Sequence, residues 1–87
     1  MTTKAPSTVR PAGDKASEKA AYAAVQGIPA VDAHDLDRLG FNVWRWMTGR
    51  KDTLEEAVRS AGARLTVSEE EAVRRIKEAL QRQGIAL

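Results

Sequence analysis

Residues 53–84 read TLEEAVRSAGARLTVSEEEAVRRIKEALQRQG, and this stretch decides the fold. It holds two helix starts and two helix stops. Thr53-x-x-Glu56 matches a capping box, in which a hydroxyl and a carboxylate reciprocally satisfy free backbone N–H groups. Asp52-x-x-Glu55 offers a competing box. Ser68-x-x-Glu71 repeats the pattern, and Glu69, Glu70 and Glu71 suit the positive end of a helix dipole. Gly62 and Gly84 stand where C-terminal glycines belong. Leu54, Ala57, Val58 and Ala61 make one apolar stripe, and Ala72, Val73, Ile76, Ala79 and Leu80 make a second. The spacing predicts helices over about 53–61 and 68–83. In the connector 63–67, Leu65 and Val67 alternate inward, as in a short extended segment. The apolar tail 85–87 is expected to fold back on the core.

Upstream, Leu36, Leu39, Val43, Trp44 and Met47 recur at helical spacing, predicting a helix over about 33–48 opened by Asp32 or Asp35. Gly40 falls inside that stripe, where it either admits a close neighbour or divides the helix. Residues 15–26 are alanine-rich, with Asp14 or Ser17 as cap and Gly27 as stop. Residues 1–13 (MTTKAPSTVRPAG) carry two prolines and little apolar surface, and are expected to form a disordered, mildly basic arm through Lys4 and Arg10. The expectation is all-α: one helical domain over 14–87, a three- to four-helix bundle of helix-turn-helix type in which helices 53–61 and 68–83 lean on helix 33–48.

Composition narrows the chemistry. Eighty-seven residues fit one small domain. With no cysteine and one histidine, disulfides, thiolate metal sites, cysteine nucleophiles and paired-histidine metal sites are excluded. His34 lies between Asp32 and Asp35 and reads as a helix-start residue. Consecutive Glu69, Glu70 and Glu71 point to different sides of a helix and cannot converge on a metal. No serine has the partners of a catalytic triad. No enzyme, cofactor or metal is therefore expected. There is no membrane-length apolar run and no secretory h-region, so a cytoplasmic protein is expected.

The net charge is +2 and the pI about 9.3. Basic domains of this kind attract nucleic acid, provided the cations share a face. The candidates are Arg50 and Lys51 in the turn before helix 53–61, then Arg59, Arg64, Arg74 and Arg75. The acids at 69–71 stand where a recognition helix would first meet phosphate, and Arg74 also shares a face with Glu71 and Glu78. Among aromatics, Trp44 reads as a core anchor. Trp46 reads as an edge residue, at the rim or against a partner, and Phe41 falls outside the stripe.

The stretch 44–49 (WRWMTG), then 53–57 (TLEEA), then 68–71 (SEEE) with Ile76, Leu80, Gly84 and Ile85, resembles the helical part of a winged helix-turn-helix family. That family includes the peptide chaperone of pyrroloquinoline-quinone biosynthesis and related leader-peptide recognition elements. The resemblance spans about residues 36–87. It implies a helical scaffold and peptide recognition; family members open with β-strands, and residues 1–35 carry no alternating pattern. Two functions are expected. One is a small helix-turn-helix nucleic-acid-binding or regulatory protein contacting phosphate through Arg50, Lys51, Arg59, Arg64, Arg74 and Arg75. The alternative is a protein- or peptide-binding adaptor using Phe41 and Trp46.

Overall fold

The computed structural model describes residues 15–49, 51 and 53–87. Four helices follow one another: α1 (Lys15–Val25), α2 (Ala33–Met47), α3 (Leu54–Ala61) and α4 (Glu69–Arg82). Each agrees with its expected span to within a residue or so at either end. The expected arm over 1–13 lies outside the described residues.

The caps explain the boundaries. Thr53 Oγ1 accepts from the Glu56 N–H at 3.0 Å, and Ser68 Oγ accepts from the Glu71 N–H at 3.0 Å. The second half of the box expected at Ser68 does not form, because the Glu71 carboxylate turns to Arg74 and Arg75 instead. A reciprocal box forms at α2. Asp32 accepts from the N–H groups of His34 and Asp35, and the Asp35 carboxylate accepts from the Asp32 N–H at 3.1 Å. Gly62 ends α3 at φ 61°, a backbone conformation that costs glycine no Cβ clash.

The helices close a ring. α1 packs on α2 and α4, and α3 packs on the same two from the other side. The backbones of α2 and α4 do not approach each other closely. The expected trio of α2, α3 and α4 is thus not a core by itself, and α1 completes it with buried Ala21, Ala24 and Val25. α1 reaches α2 through Gly40. A Cβ there would sit 2.5 Å from Cδ1 of Tyr22, so the glycine admits the ring while α2 runs on unbroken.

Leu39, Val43, Leu54, Val58, Val73, Ile76 and Leu80 are buried in one cluster. The two tryptophans depart from expectation. Trp46 is in the core at 8% exposure, whereas Trp44 is half-buried against it. Residues two apart on a helix lie about 200° from one another, so the two indoles flank the stripe on nearly opposite sides. The fold covers the Trp46 flank more completely.

The α1–α2 loop and the α3–α4 connector are tied by an isolated antiparallel bridge, Ala30 to Leu65. The Val31 N–H donates to Arg64 O at 2.9 Å and the Thr66 N–H to Pro29 O at 3.1 Å. This is the short extended segment expected over 63–67. The described residues contain no other β-structure, and the stretch 15–25 is helical. Ile85 packs on the core while Leu87 is exposed.

Candidate functional site

Of the five basic candidates among the described residues, Arg59, Arg64, Arg74 and Arg75 each face a carboxylate. Arg50 lies outside the described residues. Lys51 Nζ is 3.4 Å from the Ser60 hydroxyl, and Arg59 Nε is 3.9 Å from Glu69, with both side chains mostly exposed. Arg74 is held between Glu71 and Glu78, the latter at 2.8 Å, and Arg75 Nε meets Glu71 at 2.6 Å. These are helical i,i+3 and i,i+4 pairs on the outer side of α4. The two guanidiniums hold the Glu71 carboxyl down to about 2, the Arg74 hydrogen bond being the larger cause.

Arg64 has a structural task. Its backbone N–H donates to Asp35 Oδ1 at 3.0 Å, and its guanidinium reaches Asp35 at 3.1 Å and Asp32 at 2.9 Å. Arg38 reaches the same Asp35 oxygen from the next turn of α2, at 2.5 Å. The Asp35 side chain is fully buried. Burial alone would raise its pKa, but hydrogen bonding wins, led by the Arg64 N–H, and holds the carboxyl well below the usual range. By local sequence alone Asp35 reads as a helix start and Arg64 as a phosphate contact. Their separation of 29 positions hides the pairing, for which no local pattern exists.

The outer face of α2 is different. Phe41 stands 43% exposed. The Trp44 ring meets it edge-on, with centroids 6.3 Å apart. The Arg45 guanidinium carbon lies over the Phe41 ring, 5.7 Å from its centroid, a cation–π contact. Among the described residues Arg45 has no carboxylate partner. Its Nε and the Trp44 Nε1 are buried donors without acceptors. Asp37, one turn before Phe41, is exposed and also forms no ion pair among the described residues. Trp46, expected here beside Phe41, is replaced by Trp44.

A shallow depression of about 220 Å³ lies between the α3 C-terminus and the connector, over Val58, Ala63, Leu65 and Val67. It falls below the ~300–1,000 Å³ of usual small-molecule sites. Among the described residues, no group of three or more His, Asp or Glu side chains could hold a metal, and no helix is long and apolar enough to cross a membrane. No family model, curated protein or solved structure matches the chain.

Proposed function

We propose that this chain is a helical protein-interaction module that binds through the outer face of α2. The observation that carries the reading is the Phe41–Trp44–Arg45 cluster, an exposed ring under a guanidinium that meets no carboxylate among the described residues. Aromatic and arginine side chains are the usual anchors of protein interfaces, because both give large contact area with directional chemistry. The resemblance to peptide-binding winged-helix domains points the same way. The described residues offer no sheet edge for strand addition, so in this chain a helix face takes that role.

The nucleic-acid reading has less support. Arg64, Arg74 and Arg75 would each have to exchange carboxylates for phosphate. Among the described candidates that leaves Lys51 and Arg59, short of the ~6 contacts that give strong salt-dependent binding to duplex DNA.

A photoreactive phenylalanine analogue placed at position 41, and in a control at position 77 on exposed α4, tests the proposal. Protein adducts are expected from position 41 and not from position 77. Absence of adducts from position 41 would overturn it, and wild-type binding to duplex DNA that weakens by orders of magnitude between ~50 and ~200 mM salt would then favour the nucleic-acid reading.

A further inference from the structure

We infer that the partner of the α2 face is a second copy of this chain, bound antiparallel about a two-fold axis through Phe41. The inference rests on the reading of that face as an interaction surface, and names its occupant. A two-fold interface requires that each residue meet a chemically suitable residue of the same patch. In an antiparallel pair centred on Phe41, residues equally far before and after it face each other across the axis. Asp37 and Arg45 lie four residues to either side. Neither forms an ion pair among the described residues of its own chain, and their charges are opposite. The axis therefore sets Asp37 against the second copy's Arg45, twice.

The next pair inward behaves in the same way. Arg38 and Trp44 lie three residues to either side of Phe41. The Arg38 side chain is 47% exposed even while it holds Asp35. Its guanidinium then faces the second copy's half-buried Trp44, another cation–π pair. Phe41 meets its own image at the centre, where 43% exposure leaves ring surface to cover.

A foreign partner would impose no relation between positions 37 and 45. Self-association does, because like charges there would repel across the axis twice over. The pattern also fits the geometry of crossing helices. Helices packed at about −50° touch for roughly one turn on each side of the crossing point, and residues 37–45 span that distance. Contact over so short a length makes a small interface, so the dimer depends on protein concentration.

Sedimentation equilibrium on the full chain tests the inference, with circular dichroism confirming that each variant is folded. The wild-type mass should climb from 9.5 kDa towards twice that value as concentration rises. D37R and R45D, each alone, should weaken dimerisation by about tenfold or more, since each places like charges across the axis. An equimolar mixture of the two variants should associate again, because both cross-axis pairs are then opposite in sign. A monomeric wild type, a dimer untouched by either reversal, or a mixture that stays monomeric would each overturn the inference. The crosslink from position 41 separates this failure from that of the broader reading. An adduct with twice the chain mass supports self-association. An adduct of another mass overturns the dimer and leaves the interaction module standing, and no adduct in a monomeric wild type overturns both.

Discussion

Arg64 closes the fold on Asp35, giving one buried carboxylate both its backbone N–H and its guanidinium. The α3–α4 connector is thereby fastened to the first turn of α2, beside the Ala30–Leu65 bridge. Asp35 also caps its own helix by accepting from Asp32 N–H. Removing the charge should release the connector and the helix start together. Asp35→Asn is expected to lower the melting temperature clearly, while Glu78→Gln, which loses one half-exposed surface pair, should change it little. Paired thermal melts at neutral pH check this, and equal melting temperatures would contradict the latch.

Acid should act on the same contacts. Asp35 in the folded chain titrates well below the ordinary range, chiefly through the Arg64 N–H, and Glu71 titrates at about 2, chiefly through Arg74. Unfolded carboxyls titrate near ~4. As pH falls through that value, the unfolded state takes up protons that the folded state does not, so unfolding becomes easier. The stability from both groups is fully present above pH ~5 and lost progressively as pH drops towards the folded values. Denaturant midpoints between pH 6 and pH 2 should show this decline, and Asp35→Asn should flatten it.

Local chemistry was enough to place the helices. Thr53, Ser68 and Gly62 mark ends that depend only on nearby backbone groups, and the stripes of α3 and α4 face inward as their spacing requires. The site was harder to read. Arg64 looks like a surface cation until the fold brings it to Asp32 and Asp35, and Trp44 and Trp46 exchange roles according to which flank of α2 a neighbour covers. Both depend on contacts distant in sequence, which periodicity does not encode. Phe41 was legible because it sits opposite the stripe, and it is exposed.

Gly40 tests the docking of α1. Alanine in a helix interior is ordinarily better than glycine by about 1 kcal/mol. Here its Cβ would press into the Tyr22 ring at 2.5 Å. Overpacking of this kind typically costs about 1–3 kcal/mol, so Gly40→Ala should be net destabilising. Adding Tyr22→Ala should recover part of the loss specific to the clash, giving a favourable coupling in a double-mutant cycle. Strict additivity would mean that the ring simply moves aside.

The two tryptophans give the sharpest test of the packing, since they share a helix and differ in environment. Trp46 is in the core, with 8% of its surface exposed, whereas Trp44 covers the rim beside Phe41. Truncating a buried tryptophan removes a large apolar volume and leaves a cavity, at about 3–5 kcal/mol. Against the ~5–15 kcal/mol of a typical domain, that is enough to unfold much of a chain this small. Trp46→Ala should therefore melt far below wild type or fail to fold, and Trp46→Phe should retain the fold at reduced stability. Trp44→Ala removes a half-buried ring and an unpaired indole N–H, so its cost should be clearly smaller. Urea unfolding of the three variants decides the matter. If Trp44→Ala proves the more damaging, the assignment of the two flanks of α2 is reversed.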